Sequence, residues 1–227
     1  MPAPPVIAWD LETVPLPEAS LSDVQRQRLA LATAHEQRRA PDLPAAEANR
    51  RAASLHPFLG RICCLSAARL GPDGRPARPK SYTAATPADE ADLLRAWWAD
   101  AARLPRGTRF VTFNGKRFDA DWLRVRSAAH GLAPARRDLL DTYPYNHRPH
   151  ADLARAFGCV HSLDDLCDLL AVDRADVGPS PDGGPPICGA TVAEAVAAGR
   201  MAAVARYCEA DVRATLDCYV RIADLLA

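Results

Sequence analysis

The order of elements along these 227 residues predicts an α/β fold built on a mixed sheet. Three observations carry the prediction. Short apolar runs at 5–10, 61–70 and 108–113 read as strands. The turn signal GPDG at 71–74, between RICCLSAARL and KSYTA, suggests a hairpin. Amphipathic stretches such as 87–103 alternate with these runs and then dominate the last third of the chain, which makes the C-terminal part helical.

The first strand, at 5–10, leads into a helical insertion at 20–57. Its residues 20–54 are rich in Ala, Arg and Gln and divide into two helices near Pro41 and Pro44. Arg26, Arg28, Arg38, Arg39, Arg50 and Arg51 lie here; they read as a solvated helical face, or else as a guide for a polyanion approaching the first strand. After the hairpin, the 87–103 helix turns Leu93, Leu94, Trp97 and Trp98 inward, with the tryptophans as core rather than a stacking platform. TRFVTF at 108–113 is a strand, 117–129 a helix, and LLDT at 139–142 a further short strand. Helices follow at 150–157, 162–171, 191–198 and 201–226, interrupted by the Pro/Gly loop GPSPDGGPP at 178–186. There is no internal repeat, and residues 1–227 read as one domain.

Net charge is zero, so no global field advertises a polyanionic partner, and any such binding rests on a local patch. Lys80 and Lys116 are the only lysines; arginine supplies the rest of the positive charge. Seven cysteines form no Cys-x-x-Cys pair and no zinc-finger spacing, and several sit in apolar or helical surroundings, which reads as structural thiols in a reducing cytoplasm. The start MPAPPVIAW has no signal-peptide pattern, and no apolar run is long enough to span a membrane.

The chemistry is carried by carboxylates. In VIAWDLETV the strand period puts Asp10 and Glu12 on one face and Trp9 and Leu11 on the other. Two carboxylates ~5 Å apart repel by roughly 3 kcal/mol at an effective dielectric near 20. Solvent, an arginine or a cation must offset that. Asp119 falls in the first turn of a helix, where the dipole alone would favour it. Tyr207 and Asp211, four apart, share a helix face, and Asp141 suits a cap. Each of these is ordinary by itself.

Together and in order, strand-D-x-E, then FN-G-x-x-F-D opening a helix, then Y-x-x-x-D in a C-terminal helix, the pattern resembles the DEDD superfamily of 3′–5′ exonucleases. HPFLGRI at 56–62, FNGKRFD and YCEADV resemble the signature blocks of predicted exonucleases related to the proofreading domain of family B DNA polymerases. The superfamily divides on histidine five residues, or tyrosine four residues, before the last aspartate. Here those positions hold Arg206 and Tyr207, which selects the tyrosine branch.

The resemblance implies a ribonuclease-H-like fold, helices around a five-stranded mixed sheet. It implies two divalent cations, Mg²⁺ or Mn²⁺, with Asp10 bridging both, Glu12 and Asp211 completing the first site and Asp119 supporting the second. Tyr207 would orient the attacking water. The backbone around Leu11 and Thr13, with Asn114 and Phe118, would meet the substrate end. Lys116 and Arg117, flanking Asp119 in sequence, are expected to hold phosphates. His147 and His150 lie in a Pro-containing loop and read as non-ligands. The implied reaction releases 5′-mononucleotides from the 3′ ends of single-stranded DNA. RNA is the alternative substrate, and a non-catalytic nucleic-acid-binding module is the alternative from another class.

Overall fold

The computed structural model describes residues 4–157, 160–174 and 182–226. Strands β1 (Val6–Pro15), β2 (Gly60–Arg69), β3 (Lys80–Thr83), β4 (Arg109–Thr112) and β5 (His150–Asp152) form a five-stranded mixed sheet in the order β3-β2-β1-β4-β5. β1 is central because its residues suit two buried faces. Ile7, Trp9 and Leu11 join Trp97, Phe110 and Trp122 in one core cluster, while Ala8 and Val14 pack on the opposite side. Asp10 and Glu12 alternate with Leu11 and so share the side of Ala8 and Val14.

β1 runs five residues beyond the 5–10 segment read from the sequence, and it pairs antiparallel with β2 from Ile7–Arg69 to Pro15–Gly60. Opposite Glu12 stands Cys64 and opposite Thr13 stands Ile62, so Cys63 is the extra residue of a β-bulge. Its thiol donates to the Glu12 carbonyl at 3.3 Å. β2 and β3 make the expected hairpin.

Between β1 and β2 come the two insertion helices, α1 (Asp23–Arg39) and α2 (Ala45–Ser54), separated at Pro41 and Pro44 as expected. Ser22 and Gln25 form a capping box at the start of α1, and the pair closes over Leu21, Leu29, Ala52, Ala53 and Leu59. Much of its basic face is already paired: Arg50 meets Glu47 and, from outside the insertion, Glu194, and Arg51 lies 3.3 Å from Glu36. Arg28 and Arg38 have no carboxylate partner among the described residues.

α3 (Glu90–Ala102) buries Leu93, Leu94, Trp97 and Trp98, so the tryptophans are core, and Trp98 Nε1 donates to Ser127 Oγ at 2.9 Å. Buried Glu90 accepts from Ile62 N at 2.8 Å, from Arg126 at 2.6 Å and from His130 at 2.9 Å. That network ties α3 to β2 and to α4 (Asp119–Ala129).

Two expectations fail at the far edge. LLDT is not a strand: Asp138–Leu140 form a 3₁₀ turn that buries Leu139 and Leu140. The edge strand is β5, inside the segment expected to be helical from 150, and α5 (Leu153–Ala156) keeps only the end of that helix. β5 runs parallel to β4 and is pinned by the His150 ring, 2.8 Å from Thr112 Oγ1. Beyond it come α6 (Leu163–Leu169), α7 (Val192–Ala197) and α8 (Met201–Ile222), which covers the Ala8 side of the sheet.

Of the expected loop at 178–186, residues 178–181 lie outside the described residues, as does Cys159. Cys63, Cys64, Cys167, Cys188, Cys208 and Cys218 are free thiols, all buried except Cys188. No helix among the described residues is long and apolar enough to cross a membrane.

Candidate active site

β1 outlasts its parallel neighbour. β4 pairs with it only as far as Ala8–Val111 and ends at Thr112, so the N–H of Leu11 has no ladder partner on that side. Asp119 Oδ1 accepts it at 3.2 Å. What delivers Asp119 is the turn between β4 and α4. Asn114 adopts φ 61°, which asparagine tolerates better than most residues, and a Cβ on Gly115 would lie 2.4 Å from Thr112 Oγ1. The turn is anchored by buried Asp152 at the end of β5, which accepts from Asn114 N at 2.7 Å, Lys116 N at 3.1 Å and Ala154 N at 3.1 Å. Asp119 then falls in the first turn of α4, only 3% exposed.

α8 brings the remaining groups over the Asp10 and Glu12 face. Its Cys208 thiol lies 3.5 Å from both the carbonyl oxygen and Oδ2 of Asp10. One carboxylate oxygen from each of Asp10 and Glu12 and the Cys208 sulfur lie within 4.8 Å of one another. One turn on, Asp211 lies beside Tyr207 and is ion-paired with Arg174, which also pairs with Asp164.

Burial leaves this cluster short of positive charge. It is the leading cause holding Asp10 and Glu12 well above the usual carboxylate range, with the neighbouring acids adding to it. Asp119 is pushed up to about 7, again by burial first, against two backbone donors. Asp211 rises to about 6 despite Arg174. The Tyr207 phenol is raised by burial and by the adjoining carboxylates. Glu12 is 9% exposed, and its carboxylate has neither a hydrogen bond nor an ion pair among the described residues. Such a group requires a cation or a proton. Carboxylate oxygens of net negative charge suit a hard divalent ion, which is the chemistry of Mg²⁺ and Mn²⁺, and here the two nearest, from Asp10 and Glu12, are joined by the Cys208 sulfur.

A family model of predicted 3′–5′ exonucleases related to the exonuclease domain of PolB matches residues 56–226. The chain belongs to this family. The match begins after β1 and the insertion helices, so Asp119, Tyr207 and Asp211 fall inside it and Asp10 and Glu12 outside. The fold is similar to the family B DNA polymerase of the hyperthermophilic archaeon Pyrobaculum calidifontis, with TM-score 0.59 and 18% identity over 98% of this chain. This chain spans 25% of that polymerase. Exonuclease I aligns over 97% of this chain and 41% of its own, with TM-score 0.42 and 15% identity. At 18% identity the likeness to the polymerase is one of fold, the ribonuclease-H-like arrangement expected. No match is found among curated proteins.

In this family member the other sequence-expected residues divide. Asp10, Glu12, Asp119, Tyr207 and Asp211 are brought to one region by β1, α4 and α8. Lys116 is corrected: its ammonium is buried, donating to Asp141 Oδ2 at 3.1 Å and to the carbonyls of Tyr143 and Asn146 at 2.5 and 2.7 Å, so it has no free face for a phosphate. Arg117 is exposed. Thr13 spends its hydroxyl on the Ser54 carbonyl at 2.6 Å, and Leu11 spends its N–H on Asp119. Phe118 is half-buried with its ring 5.8 Å from that of Trp122. His150 is a buried strand residue whose ring is committed to Thr112 and to the Asp141 carbonyl. Sequence reading missed Asp152 and Cys208. An Asp opening a helix signals a cap, and Cys208 was legible only as one more small apolar position.

Proposed function

We propose that the chain is a metal-dependent 3′–5′ exonuclease of the tyrosine branch that releases 5′-mononucleotides from single-stranded DNA. The single observation that supports this best is the desolvated neighbourhood in which Asp119 and Asp211 act electrostatically on Asp10 and Glu12, Tyr207 adjoins them, and Glu12 has no partner among the described residues. A scaffold gains nothing from mutually repelling buried carboxylates, which weighs against a purely binding module.

Asp10, Glu12 and Asp211 would hold one divalent cation, with Asp10 and Asp119 turned to a second. When bound, the pair supplies Lewis-acid activation of water and charge stabilisation at the departing 3′ oxygen. The chain does the positioning. Leu11 fixes the Asp119 carboxylate through its N–H. Tyr207, its phenol kept protonated by burial, orients the attacking water as a hydrogen-bonding group rather than as a base. Arg174 is ion-paired with the Asp211 carboxylate and would compete there with the cation. Asn114 and exposed Arg117 would meet the terminal nucleotide and its phosphate, and Phe118 would stack on a base. The free buried thiols support a reducing, cytoplasmic setting.

The test is end-labelled single-stranded DNA, with RNA and a circular single strand in parallel, in Mg²⁺, Mn²⁺ or EDTA. Mononucleotides should appear from the 3′ end of DNA and disappear in EDTA and in Asp10→Ala or Asp211→Ala. Undiminished hydrolysis by either variant, or fragments from the circle, would refute the reading; preference for the RNA arm would transfer it to RNA.

A further inference from the structure

Beside the carboxylates stands a donor that hard-ion chemistry does not use, the Cys208 thiol. It is buried, and its sulfur is 3.5 Å from Asp10 Oδ2. An ion bound tetrahedrally at about 2.3 Å to sulfur and about 2.1 Å to oxygen would space those two donors about 3.6 Å apart. The observed separation is already that of two ligands of one ion. Glu12 supplies the third donor, within 4.8 Å of both, on a carboxylate that has no other partner among the described residues.

We propose that Asp10, Glu12 and Cys208 form a site for a thiophilic divalent ion, Zn²⁺ or Co²⁺, distinct in its ligands from the all-carboxylate binding of Mg²⁺ or Mn²⁺. The role of Asp10 and Glu12 in hydrolysis rests on the exonuclease reading; the binding itself requires only these three side chains. Coordination sends the thiol hydrogen to solvent as the sulfur–metal bond forms, together with any proton held on the Asp10 or Glu12 carboxyl, and Asp10 loses its S–H donor. A hard ion has little affinity for sulfur, so with Mg²⁺ the thiol keeps its proton and remains a donor to Asp10. The same sulfur therefore discriminates between ions. Because the soft ion takes two of the four acids, Zn²⁺ should inhibit the Mg²⁺-dependent reaction.

Cobalt makes the sulfur visible. The reduced full chain is titrated anaerobically with Co²⁺ while calorimetry counts bound ions and the near-ultraviolet thiolate-to-cobalt band is recorded. We expect a band that saturates at one ion per chain and is lost in Cys208→Ser. It should persist in Cys188→Ser, the exposed thiol, and in Cys64→Ser, the thiol beside Cys208. Zn²⁺ should bind Cys208→Ser at least about ten-fold more weakly, the lower end of what even an outer-shell partner costs. Mn²⁺ binding to that variant should be unchanged. If Cys208→Ser unfolds by circular dichroism, Cys208→Ala supplies the same comparison. Co²⁺ binding without the band, or a band that survives loss of Cys208, overturns the proposal and leaves the exonuclease reading intact. Failure to bind Co²⁺, Mn²⁺ and Mg²⁺ alike overturns both.

Discussion

Replacing Lys116 with methionine separates a surface phosphate clamp from a buried strut. Methionine keeps the length and apolar stem, so little cavity is opened and the effect isolates the ammonium. The lysine side chain is 1% exposed, and its ammonium serves Asp141 and the carbonyls of Tyr143 and Asn146. Breaking a fully buried pair costs about 3–5 kcal/mol. Here Asp141 is 23% exposed and residues 143 and 146 are exposed, so water recovers part of the loss. That leaves about 2–4 kcal/mol, since each abandoned acceptor retains about 1–3 kcal/mol of penalty when buried. For a chain of this size the melting temperature should fall by about 4–16 °C. The assay is thermal unfolding by circular dichroism in EDTA, which removes any contribution from bound ions. Adding Asp141→Asn to Lys116→Met should recover part of the loss, because the two residues are coupled. A single variant melting within about 2 °C of the parent, the range of an ordinary surface change, would refute the buried-strut assignment.

Three further outcomes are expected. Tyr207→Phe should lower kcat by roughly 10- to 1000-fold in single-turnover assays while Mn²⁺ binding by calorimetry stays constant; wild-type turnover would reduce Tyr207 to a packing residue. Arg174→Gln removes the cation paired with Asp211, so it should lower the melting temperature in EDTA yet tighten Mn²⁺ binding; weaker binding would contradict competition for that carboxylate. The third concerns pH. Asp119 and Asp211 have an ordinary value of 3.8 and are raised to about 7 and about 6, so the folded state binds protons that the unfolded state has released. Stability attributable to them is full below pH ~4 and is lost as pH climbs towards ~7. Glu90 and Asp138, shifted downward, act in the opposite sense. The contrast with Asp119→Asn/Asp211→Asn therefore isolates the effect: in EDTA the parent's melting temperature should fall relative to the variant between pH 4 and 7, and a relative rise would show the sign to be wrong.

Much of the sheet was legible because its strands obey simple patterns. Val6–Trp9 is apolar without interruption, and GPDG between two strand-forming runs has few alternatives to a hairpin. The insertion helices declare their break at Pro41 and Pro44. The acids were legible because their order along the chain carries information that no one of them has alone. The failures have local causes. β5 is three residues long and polar at both ends, His150 and Asp152, so it has no period to detect; its place depends on pairing with β4. Leu139 and Leu140 look like a strand because burial in a 3₁₀ turn demands the same apolar side chains. Lys116 follows a turn whose direction is set by Asn114 and Asp152, and a turn's direction is not a property of the lysine. Cys208 acquires chemistry only from Asp10, 198 residues away.

That last separation bears on when the protein acquires its site, not only where. β1 is hydrogen-bonded on both edges, by β2 and by β4, so the strand carrying the first two acids cannot be completed until more than a hundred residues have been made. Tyr207, Cys208 and Asp211 arrive later still, on α8. Contacts this distant in sequence form slowly, because a long loop must close before they return any energy. A growing chain on the ribosome thus carries Asp10 and Glu12 apart from the α8 residues, next to the message being read. Under the proposed function, hydrolysis waits until α8 has emerged and docked.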